Sequence, residues 1–68
     1  MEIVLNGEAR EVAQGCTIAQ LIEELGFAGR RLAVELNLEI VPRSCHETHE
    51  LKPGDRVEIV HAIGGGAV

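Results

Sequence analysis

The chain has 68 residues, 46% of them hydrophobic and 25% charged, and a formal net charge of −5. That length allows one domain, which buries only about 60% of the surface its unfolded form exposes and has no room for both a core and an enclosed catalytic cavity. Phe27 is the single aromatic residue, so the core is expected to be aliphatic. An acidic chain without aromatic platforms lacks what phosphate neutralisation and base stacking require, which argues against a nucleic-acid partner. No basic-then-apolar leader opens the sequence, and no apolar run reaches the roughly 18 residues that span a bilayer. The expected location is the cytoplasm, with no membrane partner.

Glu2–Asn6 alternates, with Ile3 and Leu5 on one face, and Asn6-Gly7 follows. That dipeptide suits a two-residue hairpin turn because both positions need positive φ. Ala9–Val12 is the returning strand. Thr17 and Gln20 then form a capping-box pattern, and Ile18, Leu21, Ile22 and Leu25 recur at the spacing of one helical face. Gly26 is placed to end that helix, expected over about 18–26. So short a helix is not stable alone, and its apolar stripe must lie across a sheet.

Arg31–Asn37 reads as a third strand, with Leu32, Val34 and Leu36 on one face. Leu38–Val41 is a short strand or turn before Pro42, which interrupts ladder hydrogen bonding. Arg43–Glu50 is polar, with an irregular turn or a short 3₁₀ stretch expected. Lys52–Asp55 (KPGD) has the proline and glycine of a type II turn. Arg56–Ile63 is the last strand, with Val57, Ile59, His61 and Ile63 sharing a face. Hairpin, helix, two strands, turn and last strand make an α+β arrangement. The ubiquitin-like β-grasp fits this order: a mixed sheet of about five strands crossed by one helix, with the final strand central and parallel to the first. The domain is expected over 1–63, with a flexible glycine-rich tail over 64–68.

Several side chains invite a chemical reading. Cys16 and Cys45 match no zinc or redox spacing and are expected as free thiols. Cys16 precedes the helix cap, where a thiol can be activated, but a small buried residue is the simpler reading. Cys45, His46, Glu47, His49 and Glu50, with His61, resemble a metal cluster in composition but in no structural zinc pattern. A solvated polar turn explains them as well, and no metal site is expected. Ser44, His46 and Asp55 have no cleft in which to assemble a triad. Arg30-Arg31 and Arg43 suit either solvation or an acidic partner. On the last strand Val60 and Ala62 are expected on the outer face, beside the tail, as a docking patch, although every sheet face exposes some apolar atoms.

The sequence ends HAIGGGAV. Three glycines suit a frayed end. They equally suit a segment that threads a narrow channel, because glycine has no side chain to obstruct it. A glycine carboxylate is unhindered. It can attack the α-phosphate of ATP to give an acyl-adenylate, which a sulfur nucleophile then opens to a thiocarboxylate.

The stretches LNGE, VELNLEIVPRS (Val34–Ser44), LKPGDRVEIV (Leu51–Val60) and the closing HAIGGG resemble the ThiS family, the sulfur carriers of thiamine (thiazole) biosynthesis. The likeness covers nearly the whole chain, and ELNLEIVPR is its most specific part. It implies a protein co-substrate rather than an enzyme, with no bound cofactor of its own. A ThiF-like adenylyltransferase would activate the tail with ATP and magnesium, a persulfide relay would supply sulfur, and a thiazole synthase would receive it. Gly66 is the implied reacting residue, with Gly65 and Gly64 as the threading segment.

The family ends in Gly-Gly, whereas this chain continues through Ala67 and Val68. A processing peptidase that exposes Gly66 is the leading explanation. An artificial extension or loss of the carrier role are the others. The alternative functions are a carrier for molybdopterin or a secondary metabolite, a ubiquitin-like modifier joined to lysine, and an interaction domain with an inert tail.

Overall fold

The computed structural model describes residues 1–61. Strands β1 (Glu2–Leu5) and β2 (Glu8–Glu11) pair antiparallel, with Leu5 opposite Glu8 across the turn. Asn6 and Gly7 have φ of 50° and 85°, as a type I′ turn requires. Helix α1 runs over Ile18–Glu24. Its capping box is formed in both directions: the Gln20 amide donates to Thr17 Oγ1 at 3.1 Å, and the Thr17 amide donates to Gln20 Oε1 at 2.9 Å.

The helix stops earlier than the apolar pattern suggests. Gly26 takes a φ of 78°, its amide donates to the Glu23 carbonyl, and the Phe27 amide reaches back to Ile22. This is a Schellman ending, in which the left-handed glycine turns the chain away. Leu25 therefore serves as the cap rather than as a further helical residue.

Strand β3 (Leu32–Leu36) and the two-residue β4 (Glu39–Ile40) form a second hairpin, and a single 3₁₀ turn covers Arg43–Cys45. The KPGD turn is closed by the Asp55 amide on the Lys52 carbonyl at 3.1 Å, with Gly54 at a φ of 83°. Strand β5 (Arg56–His61) follows. The sheet order is β2-β1-β5-β3-β4. β5 is thus central, parallel to β1 and antiparallel to β3.

Alternation places Ile3, Val34, Leu36, Val57 and Ile59 on the inner face, where they share one aliphatic core with Ile18, Leu21 and Ile22 of the helix. Burying these side chains is the main favourable term for so small a domain, at about 1.5–3 kcal/mol for each large aliphatic group. Among the described residues no element covers the outer face. The expected boundary between domain and tail lies outside the described residues. No helix among the described residues is long and apolar enough to cross a membrane.

Candidate functional site

In the sequence only Ala62 and Ile63 separate the last residue of β5 from the glycine segment, so the site is built around the end of this strand. β1 pairs with β5 only at Arg56 and Val57. Beyond that point the Asn6 side chain takes over. Its Oδ1 accepts from the Ile59 amide at 2.9 Å, and its Nδ2 donates to the Ile59 carbonyl at 3.4 Å. The carboxamide thereby stands in for one more residue of β1. Asn37 does related work at the strand's start: its Oδ1 accepts from the Arg56 amide at 3.0 Å and its Nδ2 donates to Asp55 at 3.2 Å. Both asparagines sit at positive φ in hairpin turns, and both hold the central strand. The sequence reading assigned Asn6 to its turn alone. The second role joins residues 53 apart, and no local pattern reports it.

On the inner face, His61 packs edge-on against Phe27, with ring centroids 4.6 Å apart and the planes at 75°. The Arg30 guanidinium lies 5.4 Å from the centre of the same ring. The single aromatic therefore ties the helix ending to the last residue of β5. On the outer face, where the alternation of the strand placed it, Val60 is 60% exposed and lies opposite Ala33. Its expected neighbour Ala62, together with Gly64, Gly65, Gly66, Ala67 and Val68, lies outside the described residues.

The other candidates separate. His46 is buried rather than solvated, at 8% exposure. Its Nε2 lies 3.2 Å from the Val41 carbonyl oxygen, a contact that requires this nitrogen to carry the hydrogen. The carbonyls of His46 and His49 accept from the Ala19 and Ile18 amides, which draws the polar loop over the helix N-terminus and the imidazole inward. Among the described residues no three His, Cys, Asp or Glu side chains converge as a metal site would need.

Ser44 and His46 do line a surface cleft of about 430 Å³, together with Ile22, Phe27, Arg30 and Arg43. This open cleft was not expected from the chain's length. Asp55 is not part of it and is bound to the Lys52 amide instead, so no triad forms. Cys16 is 2% exposed. Burial raises its thiol above the usual value, and the nearby Glu24 charge adds to this. The effect runs against activation by the helix terminus. Both cysteines are free thiols.

A five-stranded mixed sheet with a central last strand and one helix across it defines the ubiquitin-like β-grasp class. The ThiS family model matches residues 3–66, and the chain belongs to the ThiS family. It is similar to a crystal structure of a thiamine biosynthesis protein (ThiS) from Geobacter metallireducens, with a TM-score of 0.83, 32% identity, and coverage of 97% of this chain and 100% of that one. It is 33% identical over 66 residues to the sulfur carrier protein ThiS of Escherichia coli K12, covering 97% of this chain and 100% of that protein. It is 46% identical over 67 residues to a thiazole synthase of Paramagnetospirillum magneticum, covering 98% of this chain but 21% of that protein. The chain thus spans about a fifth of the length of the thiazole synthases it matches.

Proposed function

We propose that this chain is a sulfur carrier for the thiazole ring of thiamine, and that it acts through the carboxylate of Gly66 once Ala67 and Val68 are removed. The observation that carries this reading is the family match itself, which runs to Gly66 and leaves the last two residues outside. The likeness to the E. coli carrier over its full length supports it. The thiazole synthases among the relatives support such an enzyme as the recipient of the sulfur.

In the proposed sequence a peptidase first hydrolyses the Gly66–Ala67 bond. The Gly66 carboxylate then attacks the α-phosphorus of ATP on a ThiF-like adenylyltransferase, with magnesium, and pyrophosphate leaves. The terminal sulfur of a persulfide displaces AMP from the acyl-adenylate and forms an acyl disulfide. A second thiol attacks the donor's sulfur in that S–S bond, forms a disulfide with it and releases the thiocarboxylate. The carrier contributes no acid, base or cofactor to these steps. It contributes a handle, the β-grasp body, and an unhindered reacting end.

ATP–pyrophosphate exchange with the adenylyltransferase tests this. The chain ending at Gly66 is expected to support exchange, and the chain ending at Val68 is not. Equal exchange by both forms contradicts the processing step, and exchange by neither contradicts the carrier role.

A further inference from the structure

The cleft of about 430 Å³ lies on the helix side of the molecule, between α1, the loop that follows it and the 3₁₀ turn. Its two walls carry charge in a matched order. Along one, Glu23 of the helix is followed by the Phe27 ring and then by Arg30. Along the other, Arg43 is followed by Ser44, His46 and Glu47. Glu23 and Glu47 also border the adjoining hollow beside Thr17 and Gln20, at the start of the helix, whereas Arg30 and Arg43 do not. The two carboxylates therefore share one end of the cleft, and the two arginines lie away from it. None of the four is held in an ion pair among the described residues. Had one wall run the other way, each arginine would meet a glutamate and the charges would pair within the fold. As it stands, like charges are grouped, and each group is open to a ligand charge of the opposite sign. Arg30 is steadied by Phe27, whose ring centre is 5.4 Å from the guanidinium. Stacking on a ring leaves the N–H edge free for an anion.

We propose that this cleft binds a short peptide with free ends. Its carboxylate meets Arg30 and Arg43, its ammonium meets Glu23 and Glu47, and its apolar side chains lie on Phe27. Both ends then form charge-assisted hydrogen bonds, the stronger kind. The volume is that of a small-ligand site, and about three extended residues, roughly 10 Å long, suit it. A peptide fits better than a zwitterion without amides because Ser44 and His46 stand between Arg43 and Glu47. His46 Nε2 carries its hydrogen toward the Val41 carbonyl. In the neutral ring Nδ1 is then an acceptor, and it has no partner among the described residues. With the Ser44 hydroxyl it can receive a backbone N–H. The proposal makes no use of the chemistry of Gly66 and stands or falls apart from the carrier reading.

Amide chemical-shift titration of the nitrogen-15-labelled full chain with the tripeptide Val-Ala-Val, at about 50 mM salt to limit screening, tests the proposal. Saturable shifts are expected around Glu23, Arg30 and Arg43–Glu47, with a Kd of about 1 mM or tighter. The N-acetyl and the C-terminal amide forms of the tripeptide each lose one charge, and each is expected to bind about fivefold or more weakly. Arg43→Gln should weaken the free tripeptide to a similar degree and leave the amide form unchanged. Glu47→Gln should weaken the free tripeptide and leave the N-acetyl form unchanged. Arg31→Gln, outside the cleft, removes the same charge as Arg43→Gln and is expected to have much less effect. The spectrum of each variant shows directly that it is folded. No saturable shift up to about 10 mM tripeptide, or equal losses from Arg31→Gln and Arg43→Gln, overturns the site. Undiminished binding of the N-acetyl form shows an anion site only and overturns the zwitterionic ligand. Equal binding of 6-aminohexanoate, which has both charges and no amide, overturns the choice of a peptide.

Discussion

Leu38 adopts a φ of 73° and is 85% exposed. A left-handed backbone costs a branched residue about 1–2 kcal/mol, and here no burial offsets it. Leu38→Gly relieves that strain and gives back part of the gain through the greater freedom of glycine in the unfolded chain. The expected result is stability equal to or up to about 1 kcal/mol above that of the wild type, read from the urea midpoint. A clear loss of stability would show that the leucine makes a contact the fold needs. Cys16 gives a second residue-scale prediction. Burial holds its pKa above the usual 9.0, so above that pH the unfolded chain releases the thiol proton and the folded chain keeps it. The stability from this group is intact below pH 9.0 and declines as pH rises through the folded value. Cys16→Ala is expected to show a shallower alkaline decline in the denaturation midpoint. An identical slope in both proteins would contradict the assignment.

At the scale of elements, what could be read from the sequence followed the range of the interactions involved. The helix start was legible because Thr17 and Gln20 are three residues apart and bond to each other. The first hairpin was legible because Asn6-Gly7 fits one turn type. The helix end was misjudged because Leu25 continues the apolar stripe while Gly26 reverses the backbone. The inward turn of His46 was not legible at all. It depends on loop carbonyls meeting the helix amides, which composition cannot announce. The grip of Asn6 on Ile59 belongs here too, since it completes a strand. Asn6→Gly keeps the turn conformation and removes the grip, leaving the Ile59 amide without its partner, and adds a smaller loss from the freedom of glycine in the unfolded chain. A loss of about 1–3 kcal/mol is expected, with Asn6→Asp losing less because it keeps the acceptor. Equal stability of Asn6→Gly and the wild type in urea would show that the grip contributes nothing.

Taken whole, the molecule is a small aliphatic core that presents one strand end. β5 is fixed by β1, by β3, by two asparagine side chains and by the Phe27 ring. In the proposed carrier role, each of these contacts limits the freedom of β5 and so the entropy lost when the segment after it meets a partner. The candidate site was only partly legible in the sequence. The place of Val60 on the outer face could be read from the alternation and the glycines lie outside the described residues, whereas the anchoring of β5 by Asn6 is long-range. The central claim is that Gly66 becomes the terminus and carries sulfur. The most direct measurement is the intact mass of the protein isolated from its own cells. The account predicts a species ending at Gly66 with a companion about 16 Da heavier, from the exchange of oxygen for sulfur in its carboxylate. A mass that retains Ala67 and Val68 throughout, with no heavier companion, would contradict it.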